Sequence, residues 1–355
     1  MTASYTIPQS TSGEFRFRSK PVDAKSIWAI IPTHQDWDGL RVTIQSLLNL
    51  KTPPKRIIVA NDNKSAGHPT WLKDYPTVEV VDCKGNRGPA TARNLGLGLT
   101  GEIPVEKSLG VFADLAKSGV GRLPEYMHNG YCRYLKTPDF PLSPTEFRWE
   151  CDVDWFYFTD CGCEHDPDLF MHFEQAWKEC GDCCAGISGP VVGKGDGPIN
   201  AYMTEQGVLN PPLERTVHGV FLPQAIVTAN ALVCGIPFAF SGGFDPSFTE
   251  AAGEDLDLGL RMRRFGVIAW AREAQVSHRF EEDESDFCNR FRRYGRGNRR
   301  LEMKHNLPSL RARPFKTELP RHQRLADLAV SAMQAGYDEV IDESDRGVLK
   351  IVDPV

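Results

Sequence analysis

Short unbroken apolar runs alternate along this chain with segments whose apolar residues recur every three or four positions. Residues 26–32 (SIWAIIP), 56–60 (RIIVA) and 77–83 (TVEVVDC) are runs of the first kind, suited to strands buried in a parallel sheet. Between the first two, LRVTIQSLLNL places Leu40, Ile44, Leu47 and Leu48 at helical spacing, and Pro53 and Pro54 stop the helix. The rhythm resumes with WFYFTD at 155–160, the amphipathic LFMHFEQAWKEC at 169–180, the strand-like CCAGISGPVVG at 183–193 and AIVTANALVCGI at 225–236. Strands alternating with helices over short connections predict an α/β domain with a largely parallel sheet. Ligands of such sheets bind beyond the C-terminal strand ends, which puts residues 33–36, 61–63 and 86–93 on one rim.

Glycine patterns narrow the ligand. No G-x-G-x-x-G follows the first strand, so a standard dinucleotide site is not expected. The run GKGDG at 193–197 follows a strand with no recognisable helix after it and reads as a flexible loop. Residues 1–25 are polar and read as a flexible arm, 26–282 as the α/β domain, and 283–355 as a helical extension whose last helix falls near 320–337. An insertion at about 101–152, rich in Pro, Gly, Tyr and Arg and partly helical around 111–117, reads as a substrate or partner surface.

Composition adds exclusions. The formal charge of -6 over 355 residues argues against a nucleic-acid partner. No apolar run is long enough to span a bilayer, and the N-terminal residues lack the apolar core of a signal peptide, so the expectation is a soluble, cytoplasmic protein of unspecified oligomeric state. The 10 cysteines read as mostly free thiols. Cys161-x-Cys163 and Cys180-x-x-Cys183-Cys184 match no common zinc module.

The densest chemistry lies at 240–278. A glycine turn at 241–245 leads to a probable helix opening on Glu254 and Asp255, with Arg261, Arg263 and Arg264 near its other end and Gly266 as its stop, and then to a strand-like run ending in His278. Acids at a helix start are favoured by the macrodipole, so capping already explains part of this pattern.

With these segments in order, the chain resembles the family 2 glycosyltransferases of GT-A fold. The resemblance is carried by IIPTHQDWDGLRVTIQSLLNL, IIVANDNKS, NRGPATARNLGL, FYFTDCGCEHDPDLF, AGISGPVV, TANALV, FSGGFDPSF, GEDLDLGLRMRRFG and VSH, spread over about 27–280. It implies a Rossmann-like, mostly parallel mixed sheet flanked by helices, and an inverting transfer from a nucleotide-diphosphate sugar, a UDP-sugar favoured, to an acceptor hydroxyl. The acceptor could be a glycan, a lipid-linked sugar, a peptide or a small molecule. Pro32, Thr33, His34, Asp36 and Asp62 fall on the family's nucleotide rim, with Asn61 where many relatives carry a first acid; a turn closing the strand is the alternative role for Asp62. Asn86, Gly88, Arg93 and Asn94 match the N-x-G-x-x-x-A-R-N segment. Arg93 would start a helix there and pair with phosphate or metal-site carboxylates, or else serve a buried ion pair.

The resemblance places Asp160 at the first position of the family's D-x-D, which brings a divalent cation, Mn²⁺ or Mg²⁺, to the diphosphate; here the third position is Gly162. Glu164 or Asp166 could substitute for it or cap the following helix, and His278 would complete the metal site. Asp255 falls on the general base, Glu254 beside it would orient the base or contact the acceptor, and Gly242 and Gly243 would let the backbone approach the sugar. Asp245 closes the turn or touches the donor sugar. In the tail, Arg292, Arg293 and Arg296 form either a solvated helix face or a clamp over the diphosphate. A catalytically inactive sugar-nucleotide-binding or scaffolding relative is the alternative function. A nucleotidyltransferase would need an N-terminal glycine-rich phosphate loop with a lysine, and the sequence has none.

Overall fold

The apolar runs assemble side by side into one sheet. In this computed structural model, which describes residues 18–63, 67–83, 85, 87–97, 154–216, 221–280 and 283–341, the N-terminal half contains β1 (Ile27–Thr33), α1 (Trp37–Leu48), β2 (Arg56–Asn61), β3 (Val78–Asp82) and α2 (Pro89–Gly96). The chain continues through β4 (Trp155–Thr159), β5 (Cys163–His165), α3 (Leu169–Cys180), β6 (Cys184–Ser188), β7 (Val191–Gly193) and α4 (Pro198–Glu205). Next come β8 (Leu213–Arg215), β9 (Phe221–Pro223), β10 (Asn230–Cys234), α5 (Gly235–Phe240), α6 (Glu254–Met262), β11 (Val267–Trp270) and β12 (Val276–His278). Two long helices, α7 (Glu284–His305) and α8 (Gln323–Glu339), close it.

Seven strands form a mixed sheet in the order β11-β6-β10-β4-β1-β2-β3. The pairs β1–β2, β1–β4, β2–β3 and β6–β11 are parallel, while β10 runs antiparallel between β4 and β6. The register Thr33↔Asn61 and Asn61↔Asp82 aligns the C-terminal ends of the first three strands, so their following loops share a rim. Helices cover the sheet with the faces the spacing predicts: α1 buries Leu40, Ile44 and Leu47, and α3 buries Leu169, Phe170, Phe173 and Ala176. The aromatic run of β4 is buried throughout, with Phe158 edge-on to Phe244 and Tyr157 edge-on to Phe170. Each such side chain contributes about 1.5–3 kcal/mol on full burial.

A second, three-stranded sheet, β5-β12-β7, sets His278 opposite Cys163, three residues beyond Asp160. The helical extension has its own apolar cluster, in which Phe287, Phe291, Leu325, Ala326 and Ala329 pack with Tyr202 and Met203 of α4. Its two helices touch backbone to backbone: a Cβ at Gly336 would lie 1.9 Å from the carbonyl oxygen of Arg292, and one at Gly295 2.0 Å from that of Met333.

Three readings change. A helix, α4, does follow the GKGDG run, started by Pro198 at its first turn. It is only eight residues long and buries just Tyr202 and Met203, too little for a visible period. Residues 18–25, assigned to the flexible arm, are held on the sheet: Ser19 N–H donates to the Asp182 carbonyl at 2.7 Å, and Val22 and Ala24 are buried. Arg93 lies in the body of α2 instead of starting it. The 101–152 insertion with its helix near 111–117, and Asn86, lie outside the described residues.

Candidate active site

A cleft of about 750 Å³ opens where β1, β2 and β4 end. Pro32, Thr33, His34, Asp62, Arg93, Asp160, Glu254, Asp255, His278 and Arg293, all sequence candidates, line it. Its size suits a drug-sized ligand.

Arg93 is the hub. It is buried, donates from Nη2 to Asp160 Oδ1 at 2.8 Å and from Nη1 to Glu254 Oε1 at 2.9 Å, and lies 5.4 Å over the Phe244 ring. One guanidinium thus ties the end of β4 to the start of α6, which is the buried ion pair expected as one of its two roles. Next to it, the Asn94 side chain exchanges two hydrogen bonds with the Phe244 backbone, docking α2 on the glycine turn.

Asp255 sits at the cleft edge of α6. Its Oδ1 accepts the Leu256 N–H at 2.8 Å and its Oδ2 the Thr228 N–H at 3.3 Å. Burial pushes its carboxyl above the usual range, with Arg93 opposing. Burial and then the Asp255 charge push Glu254 up to about 7, with Arg93 again opposing. Glu254 Oε2 is buried without a hydrogen-bond partner. Glu254 therefore engages Arg93, and it is Asp255 that keeps a half-buried carboxylate on the cleft.

On the rim, Asp62 does not close its own strand. Its carboxylate accepts the Arg87 and Gly88 N–H groups at 2.9 and 2.7 Å, holding the loop that opens α2, and its carbonyl contacts His34 Nδ1 at 2.7 Å. Asn61 turns to Asp82 at 2.7 Å.

Several candidates are placed elsewhere. Asp36 caps α1 through the Gly39 N–H at 2.9 Å and does not line the cleft. Gly242 and Gly243 do not line it either; both have positive φ, 79° and 70°, and the Ser241 and Gly243 carbonyls around them accept from Arg261. The glycines are thus required by the turn. Arg292 and Arg296 point to other partners: Arg292 pairs with Glu339, and Arg296 with Glu250 at 2.6 Å and Glu339 at 2.8 Å. Glu164 pairs with Lys194 at 2.6 Å, and Asp166 accepts the Asp168 N–H at 2.8 Å. Asp245 accepts the Ser247 N–H at 2.9 Å, closing the turn.

The structure also brings in residues the sequence reading missed. Arg290 and Tyr294 of α7 line the cleft with Arg293, and Arg290 Nη1 donates to the Tyr294 hydroxyl at 3.4 Å. Burial pushes the Tyr294 phenol up, with the Asp255 charge contributing in the same direction. The signal was available in the helical period: residue 294 lies one turn on from 290 and three after the buried Phe291, whereas 292 and 296 fall on another face.

Among the described residues no group of three His, Cys, Asp or Glu side chains could by itself hold a metal ion, which covers the cysteine clusters as well. The described cysteines are free. Two donors nevertheless meet the cleft: the Asp160 carboxylate, one oxygen of which Arg93 takes, and His278, whose Nδ1 is buried without a partner. Burial keeps His278 below its ordinary pKa, so the ring favours the neutral form a metal needs, with the Asp160 charge opposing. This set fits a cation that draws its remaining ligands from phosphate oxygens and water.

No curated protein matches the chain. Solved structures similar to it include the mannosyltransferase PcManGT from Pyrobaculum calidifontis in complex with GDP-Man and Mn²⁺, at 11% identity and TM-score 0.49, over 94% of this chain and 81% of that one. Another is GalNAc-T7 with UDP, GalNAc and Mn²⁺, at 12% identity and TM-score 0.46, over 94% of this chain and 58% of that one. A third is S. aureus TarS, at 10% identity and TM-score 0.43, over 92% of this chain and 46% of that one. The chain thus spans little more than half of GalNAc-T7 and less than half of TarS. No helix among the described residues is long and apolar enough to cross a membrane. Residues 28–101, from β1 past α2, match the model of glycosyl transferase family 2, which bears out the resemblance over that stretch, and the mixed seven-stranded sheet flanked by helices with a helical C-terminal segment is the architecture the resemblance implied.

Proposed function

We propose that this chain is an inverting glycosyltransferase that moves a sugar from a nucleotide-diphosphate donor, a UDP-sugar in the first instance, to an acceptor hydroxyl. The observation that carries the reading is Asp255: a carboxylate fixed by two backbone N–H groups at the edge of a cleft whose other wall is the β1, β2 and β4 rim. In a single displacement the acceptor oxygen attacks the anomeric carbon while its proton passes to Asp255. The bond from that carbon to the diphosphate breaks, and the nucleoside diphosphate leaves with the electron pair. General-base help of this kind is worth about 10²- to 10⁴-fold.

The other residues hold this arrangement. Arg93 fixes Asp160 and Glu254 relative to each other, and Glu254 in turn keeps the guanidinium beside Asp255. Arg290 and Arg293 add positive charge from α7 on the cleft wall, where the diphosphate would lie. Asp160 and His278 would hold a divalent cation, Mn²⁺ or Mg²⁺, which when bound supplies charge compensation to the departing diphosphate.

The test is direct. Purified chain with Mn²⁺ or Mg²⁺ is offered UDP- and GDP-sugars with and without glycan, lipid-linked, peptide and small-molecule acceptors, and nucleoside diphosphate release is measured. Release that depends on acceptor supports the reading; intact donor binding without any release or transfer favours an inactive sugar-nucleotide-binding relative.

A further inference from the structure

The second apolar cluster reaches the surface of the cleft. Val208, Leu209, Tyr294 and Met333 pack against it, are only half-buried, and line the same cavity as Asp255. With Phe291 they make an apolar wall drawn from the turn after α4 and from both helices of the C-terminal extension, outside the segment that matches the family model. The opposite side of the cleft, from Thr33, Asp62, Arg93, Asp160 and His278, is polar.

Among the described residues, the four side chains Val208, Leu209, Phe291 and Met333 carry no group that can hydrogen-bond a sugar hydroxyl, while Arg290 and Arg293, also of α7, line the cleft beside them. Asn210 already accepts the Val191 N–H through Oδ1 at 2.8 Å, and Asn298 already donates through Nδ2 to the Leu310 carbonyl at 3.3 Å. The Tyr294 hydroxyl accepts from Arg290. Sugar hydroxyls laid on those four side chains would be buried without partners there, which is costly, whereas an alkyl chain on them would gain about 0.8 kcal/mol for each methylene buried.

We propose that the acceptor is an alkyl-bearing amphiphile. One of its hydroxyls meets Asp255, and its hydrocarbon chain lies against Val208, Leu209, Phe291 and Met333. This deepens the glycosyl-transfer reading and rests on it; the chemistry is unchanged, the acceptor hydroxyl losing its proton to Asp255 as the new glycosidic bond forms.

The experiment uses the full chain and a series of methyl, hexyl and octyl β-glucosides kept below micelle-forming concentrations. Equilibrium binding is measured by calorimetry, and nucleoside diphosphate release is measured over the donor panel. Octyl glucoside should bind at least about tenfold more tightly than methyl glucoside, with acceptor KM following. Leu209→Asp and Met333→Asp should each remove that gradient without changing donor affinity, while Met333→Leu keeps it. Equal binding of methyl and octyl glucosides to the unaltered chain overturns the proposal, and that comparison needs no variant to fold. A chain-length gradient in binding, lost in the aspartate variants but with no diphosphate release from any donor, upholds the apolar subsite and defeats glycosyl transfer.

Discussion

Replacing Arg93 by Met should expose how much of the site hangs on one guanidinium. Arg93 is buried with Glu254 and holds Asp160, linking residues 67 and 161 positions away along the chain. Removing one partner of a buried ion pair leaves an uncompensated charge and typically costs about 3–5 kcal/mol. The cost should depend on pH. Glu254, normally near 4.5, is already pushed up to about 7 by burial, and losing Arg93 raises it further, at about 1.4 kcal/mol for each unit. A carboxyl raised in the folded state contributes stability that is fully present below its unfolded value and is lost as pH rises through its folded value. The loss in Arg93→Met should therefore be clearly larger at pH 8 than at pH 5. Adding Glu254→Gln, which needs no counter-charge, should return much of it. Urea unfolding followed by tryptophan fluorescence reads all of this. A loss below about 1 kcal/mol at pH 8, or no recovery in the double variant, would refute the hub role.

The raised Asp255 carboxyl predicts that transfer rises with pH as this base ionises above the ordinary aspartate range, while folding stability falls as pH rises through about 7, the value to which Glu254 is pushed; initial rates between pH 5 and 9 check the first half and urea midpoints the second. His278→Ala should weaken Mn²⁺-dependent donor binding, about 10-fold or more, and leave binding in the presence of chelator unchanged, as calorimetry with and without Mn²⁺ would show. Gly336→Val should destabilise the chain by about 1–3 kcal/mol or more, because a Cβ there meets the Arg292 carbonyl oxygen at 1.9 Å and the helices must part; thermal unfolding measures it.

What the sequence disclosed follows from the range of each interaction. β1, β2 and β4 are legible because each is a contiguous apolar run buried on both faces. Asp160 and Asp255 are legible because each closes a strand or opens a helix within a local motif. Pairings across the chain are not: nothing near Arg93 names Glu254, and the β5–β12 ladder that carries His278 to Cys163 joins segments over a hundred residues apart. The arginines of α7 show a subtler failure. Composition marked the cluster, but only the helix phase, set by Phe287 and Phe291, decides that 290 and 293 meet the cleft while 292 and 296 pair with Glu339 and Glu250. Gly242 and Gly243 carried a real constraint with the wrong cause, since the positive φ of the turn demands them.

The central claim turns on Asp255. With whichever donor and acceptor give turnover, transfer by Asp255→Asn should fall by about 10²- to 10⁴-fold while donor affinity measured by calorimetry stays within about twofold, because the amide keeps the shape and gives up the charge, the proton acceptor and one of the two backbone N–H contacts. Turnover by Asp255→Asn equal to that of the unaltered chain would contradict the account.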